Sequence, residues 1–204
     1  MKKLIIVLFT TLLLTGCTVV RIDTKSIDNI IGIVLEKNNT LYNQVGKGYK
    51  YYVPRGVTYM DTIGFNDILY SNGVYYYLYV DAVSYLKKID VDYKEKDDIY
   101  YSKKIDENGK KGYLEIIKQE NKYLIKFNYN YSIITALVEE KEINKVVLNA
   151  SYILSTIKYN DKVIALSFNE DYFINREEQY KEFVSKRVNS NFLLAPDEML
   201  ETEE

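Results

Sequence analysis

The sequence has no histidine and no tryptophan, and its single cysteine is Cys17. Each absence removes a chemistry. Ser-His-Asp and Cys-His catalysis need an imidazole or a free thiolate, so both are excluded. Structural zinc needs Cys or His ligands and is excluded with them. One cysteine cannot close an internal disulfide, although exported proteins are free to use them. A basic cluster is also missing. With 27 Lys and Arg against 29 Asp and Glu, the chain is poorly suited to nucleic acid. It is equally unsuited to holding anionic lipid by charge alone. There is no Walker loop and no dinucleotide fingerprint; Gly46-x-Gly48 is too short a match.

What is present begins with the leader. Lys2 and Lys3 precede an uncharged run from Leu4 to Leu14, and Leu14-Thr15-Gly16-Cys17 follows. A charged start before a short apolar stretch reads as a signal peptide, and it falls short of the ~20 residues a spanning helix needs. The last four residues resemble the lipobox of bacterial lipoproteins. That resemblance implies cleavage after residue 16 and a diacylglyceryl group on the Cys17 thiol, with further acylation such as palmitate. Two acyl chains suffice for stable anchoring, where one gives only marginal binding. The expected address is the extracytoplasmic face of the cell membrane.

Residues 17–23 then form the lipidated Cys17 and a short tether. The 187 residues after Cys17 suit one domain, expected over 24–195, with an acidic, disordered tail over 196–204. Losing two leader lysines takes the formal charge from −2 to −4.

Thr24 to Lys37 carries an apolar stripe at Ile27, Ile30, Ile31, Val34 and Leu35, which predicts a helix capped by Thr24 or Ser26. Gly48 to Val53 is strand-like and ends in the turn Pro54-Arg55-Gly56. Val57 to Met60 resumes an extended pattern. Asp67 to Ser71 and Val74 to Ala82 flank Asn72-Gly73, a strong hairpin signal, and Val83 to Ile89 reads as a continuation of that second strand. Asp90 to Asp98 reads as a charged loop. Tyr100 to Ile105 and Tyr113 to Lys118 flank a turn at Asp106-Glu107-Asn108-Gly109. Lys122 to Asn130 alternates, with Tyr123, Ile125, Phe127 and Tyr129 on one face and Lys122, Leu124, Lys126 and Asn128 on the polar one. Tyr131 to Val138 is apolar on both faces, as a covered central strand would be.

Lys141 to Ile157 predicts a second helix, with Ile143, Val146, Val147, Ala150, Ile153, Leu154 and Ile157 on its stripe. Glu139, Glu140 and Glu142 at its start suit the helix dipole. Val163 to Phe168 reads as a last strand and Asn175 to Arg187 as a short, polar C-terminal helix. The sum is an α+β domain: a mainly antiparallel sheet covered by an N-terminal and a late helix. The Gly-aromatic strand Gly48 to Pro54 and the late helix Val147 to Ile157 make this pattern similar to PsbP-like domains. That resemblance implies a domain that binds or assists other proteins and shares no catalytic residues, so no site carries over.

The most unusual segment is Val74-Tyr75-Tyr76-Tyr77-Leu78-Tyr79-Val80, within a chain of 22 tyrosines. On a strand, Tyr75, Tyr77 and Tyr79 share one face at a spacing of about 7 Å. Such a ladder suits an aromatic binding strip for a peptide or glycan, because Tyr joins large contact area to a polar tip. The same ladder would also arise from rings packed under a helix or against neighbouring strands.

Other constellations fail on spacing. Asp90-x-Asp92 with Asp97-Asp98 lacks calcium-loop grammar: Lys94, Glu95 and Tyr101 stand where an oxygen ligand, a glycine and a glutamate belong. Asp106-x-Asn108-Gly109 fails too, with Lys111 in the glycine position. Glu139/Glu140 and Glu170/Asp171 are adjacent pairs that do not converge as glycosidase acids would, and sugar-cleaving clefts favour the absent tryptophan. Ser151 and Lys158 lie two helical turns apart on different faces. No catalytic residue, metal site or cofactor is therefore expected. A two-lobed solute receptor does not fit the length. The expectation is a membrane-anchored, non-catalytic domain that binds or positions an envelope protein or peptide. The alternative is an envelope hydrolase working with carboxylates.

Overall fold

Ser26 sets the start of the first helix. Its hydroxyl oxygen accepts a hydrogen bond from the Asn29 N–H at 3.4 Å, and α1 runs Ile27–Glu36. Ile30, Ile31, Val34 and Leu35 are buried along its inner stripe. A computed structural model describes residues 26–167. The expected leader (1–16), Cys17 and its tether (17–23), the cap Thr24, the helix Asn175 to Arg187 and the tail 196–204 lie outside the described residues.

Within them the chain builds two antiparallel sheets. Strands β1 (Gln44–Val45), β2 (Tyr49–Tyr51) and β10 (Lys158–Tyr159) form a small sheet in the order β1-β2-β10. The large sheet uses β3 (Thr58–Ile63), β4 (Asn66–Ser71), β5 (Val74–Val80), β6 (Tyr101–Glu107), β7 (Lys110–Gln119), β8 (Lys122–Tyr129) and β9 (Ser132–Val138). Its order is β3-β4-β5-β9-β8-β7-β6. Asn72 and Gly73 both take positive φ, 48° and 81°, and join β4 to β5 in a two-residue turn with Ser71 opposite Val74. That twist matches the twist of the paired strands. Asn108-Gly109 does the same for β6 and β7, so the turn is two residues long and those strands run further than the sequence suggests.

A 3₁₀ turn (Glu140–Glu142) leads into α3 (Ile143–Thr156), and every member of the predicted stripe from Ile143 to Ile157 is buried. Together α1 and α3 cover one face of the large sheet. Tyr76, Leu78, Leu114, Ile116, Ile125, Phe127 and Ile134 are 0–1 % exposed there. Each such side chain contributes roughly 1.5–3 kcal/mol by leaving water. This is the α+β arrangement read from the sequence, with β9 central as expected.

Two predicted strands are helices. Val83 to Ile89 does not extend β5; it lies in and just beyond α2 (Ala82–Lys87). The Asp81 carboxylate accepts from the Ser84 N–H at 2.9 Å, and that cap turns the chain off the sheet. Val163 to Leu166 belongs to α4 (Asp161–Leu166), because Asn160 caps it through the Val163 N–H. Tyr131 is not the first residue of β9: with Asn130 it makes a left-handed turn, φ 52° and 60°.

Candidate binding face

The strand pleat sends Tyr76, Leu78 and Val80 inward and Tyr75, Tyr77 and Tyr79 to the second face. Both long helices lie on the Tyr76 side, where the Asn149 amide of α3 donates to the Tyr76 hydroxyl at 3.0 Å. Burial pushes the Tyr76 phenol up from its ordinary pKa. On the second face, Tyr75 sits opposite Tyr70, Tyr77 between Ile68 and Thr135, and Tyr79 between Asn66 and Ile133. Tyr70 and Tyr75 have ring centroids 5.0 Å apart; Tyr75 and Tyr77 are stacked at 6.3 Å with planes 20° apart. The three tyrosines are half-buried. Tyr75 thus packs sideways on Tyr70 of the next strand and on Tyr77 along its own, and the three residues lie in one row along β5.

The β6–β7 half of this face is covered. Residues 89–100, which include the charged loop read over Asp90 to Asp98, cross it as a strap. The Tyr93 ring lies on Tyr113, 4.3 Å between centroids and 8° between planes. The Tyr93 hydroxyl donates to Glu115 at 3.0 Å and shares a 2.7 Å hydrogen bond with Ser102. Lys96 pairs with the buried Glu115. The Lys104 N–H donates to Glu95 at 2.8 Å. Glu95 thus ties the strap to β6, and Tyr93 and Lys96 tie it to Glu115 on β7. No group of three or more metal-ligating side chains occurs among the described residues.

Beside the strap, at the end of the sheet bearing the turns Asn108-Gly109 and Asn130-Tyr131, the face hollows into a cleft of about 380 Å³. Asp90 and Lys111 line it, paired at 2.8 Å, and the Tyr131 hydroxyl donates to Asp90 at 3.0 Å. Hydrogen bonds from Lys111 and then Tyr131 hold the Asp90 carboxyl below its ordinary pKa; the same pairing raises Lys111. Asp81 at the same rim accepts from the Ser84 hydroxyl at 2.8 Å. Asn128 and Ile133 also line the cleft. A left-handed backbone at a bulky residue such as Tyr131 costs on the order of 1–3 kcal/mol, and such strain gathers at functional sites.

A second hollow of about 630 Å³ lies between the small sheet and α4. Its wall carries the Tyr85–Tyr159 stack, 3.9 Å between centroids, and the Tyr85 hydroxyl donates to Asp161 at 2.5 Å. Lys50, Lys158 and Lys162 also line it. Sequence reasoning missed both hollows, whose residues come from at least three separate segments.

It also missed a buried carboxylate. Asp67 is 0 % exposed on the helix side of β4. The Tyr51 hydroxyl donates to it at 2.8 Å and Thr62 supplies a second hydrogen bond. The buried Tyr49 hydroxyl lies nearby without a hydrogen bond of normal geometry. Burial first, and then the Asp67 charge, pushes Tyr49 and Tyr51 far above the ordinary phenol range. This network ties the small sheet to the large one.

Of the remaining candidates, the pair Glu170/Asp171 lies outside the described residues. The Ser151 hydroxyl is buried and donates to the Val147 carbonyl at 2.7 Å, whereas Lys158 is an exposed residue of β10. Glu139 pairs with Lys141, and Glu140 accepts from Tyr123. No helix among the described residues is long and apolar enough to cross a membrane. No family model matches the chain, and no curated protein matches it.

Proposed function

We propose that the protein is a lipid-anchored, extracytoplasmic binding module that uses the second face of its large sheet to hold an envelope protein or peptide. The observation that carries this reading is the band of Tyr75, Tyr77 and Tyr79, half-buried on the face away from both long helices. Interfaces concentrate their energy in such aromatic residues. The two acids at the cleft argue against a carboxylate hydrolase: Asp90 is engaged by Lys111 and Tyr131, and Asp81 by Ser84.

The anchor reading rests on Leu14-Thr15-Gly16-Cys17, and the fold suits it. Eight residues separate Cys17 from Ser26, a reach of at most about 30 Å. The first turn of α1 sits by the start of β6, where Asp28 pairs with Lys103 and accepts from Tyr101. Its last turn meets Asn108 at the other end of the sheet, through the Leu35 carbonyl. A lipid on Cys17 would hold the Asp28 end nearest the bilayer and turn the cleft outward. Crosslinking in intact cells with mass spectrometry tests the proposal. An adduct between the tyrosine band and an envelope component is expected; its absence would contradict the reading.

A further inference from the structure

Asn128 is 9 % exposed, yet its side chain makes no hydrogen bond to another described residue. Its amide atoms are not sealed off: they open to solvent in the cleft, where a ligand could reach them. Asn128 lies on the second face, opposite Tyr113 on β7 and Ile133 on β9, and all three line the 380 Å³ cleft. Close strand approach fixes it there: a Cβ on Gly112 would run into the Asn128 carbonyl. The volume falls in the range of small-molecule sites, roughly 300–1,000 Å³.

We propose that this cleft binds a neutral saccharide, and best an acetamido sugar. The inference rests on the binding-module reading and names a ligand for its outward end. Charge argues for neutrality: of the four charged residues lining the cleft, Asp81 and Asp90 balance Lys110 and Lys111, and Asp90 and Lys111 are paired at 2.8 Å. The amide argues for the class. Asn128 can donate and accept side by side, as an acetamido group requires of its partner. Ile133, directly opposite on the next strand, gives the acetamido methyl an apolar contact. The Asp90 carboxylate, oriented by Tyr131, keeps lone pairs for sugar hydroxyls.

The test is a chemical-shift titration of the full-length chain in detergent micelles with N-acetylglucosamine, with glycine and inorganic phosphate as comparators. Saturable shifts around Asn128, Tyr113 and Ile133 are expected with the sugar alone. Asn128→Leu should weaken binding at least tenfold while the melting temperature holds, since no side-chain hydrogen bond to another described residue is lost. Tyr131→Phe, which keeps the ring, should weaken it several-fold and locates the site should the leucine variant not fold. No saturable shift with the sugar overturns the proposal. So does binding that both variants leave intact, or preferential binding of glycine or phosphate. If the sugar fails while crosslinks from the tyrosine band persist, only this inference falls.

Discussion

The Tyr93 ring lies flat on Tyr113, 4.3 Å between centroids and 8° between planes. This stack closes the strap over β6 and β7 and sets the border of the second face: covered on one side, a tyrosine band on the other.

Removing the stack should therefore cost stability. Tyr93 is 8 % exposed, and truncation of a large buried aromatic costs about 3–5 kcal/mol. Tyr93→Ala is expected near the lower end of that range, because the strap can collapse onto the sheet. Tyr93→Phe loses only the hydrogen bonds to Ser102 and Glu115 and should cost about 0.5–3 kcal/mol. Urea denaturation measures both. An alanine midpoint equal to wild type would mean that the strap is not part of the cooperative fold.

The buried tyrosines predict how the fold responds to alkali. Burial raises Tyr49, Tyr51 and Tyr76, and takes Tyr129 to about 12. The unfolded phenol titrates near 10. A folded pKa above the unfolded one gives stability that is complete below pH ~10 and is lost as pH rises through the folded values. With no histidine to titrate, the melting temperature should be nearly flat from about pH 6 to 9 and fall above 10. Tyrosinate absorbance from the buried rings should appear together with loss of circular dichroism. Titration of these rings near pH 10 in a still-folded chain would refute the burial assigned to them.

The anchor has a direct genetic test. Cys17→Ala should leave the leader uncleaved or the protein detached from the acylated membrane fraction. Palmitate labelling and fractionation read both outcomes. Unchanged processing and lipid labelling would remove the lipobox reading while leaving the fold untouched.

Much of the architecture was legible because local signals and burial agreed. Asn72-Gly73 forms the hairpin its dipeptide implies, and the stripe from Ile143 to Ile157 faces the sheet as its period requires. Short helices were harder. Val83 and Val163 sit in apolar runs that fit a strand as well as a helix, and the deciding residues are the caps Asp81 and Asn160, one side chain each. Long-range polar contacts left no local trace. Asp67 meets Tyr51 across 16 residues and two sheets. Asn128 falls in the polar half of an alternating strand, so nothing local separates an amide that lines a cleft from one on an open surface.

Site-specific photocrosslinking in living cells, from position 77 on the tyrosine band and from Lys145 on the exposed side of α3, tests the central claim most directly. An envelope component should crosslink from position 77 and not from position 145. Tyr75→Ala and Tyr79→Ala should abolish that adduct at a cost of about 1 kcal/mol each in stability. Equal adducts from both positions, or an adduct indifferent to the two alanines in a folded protein, would contradict the account.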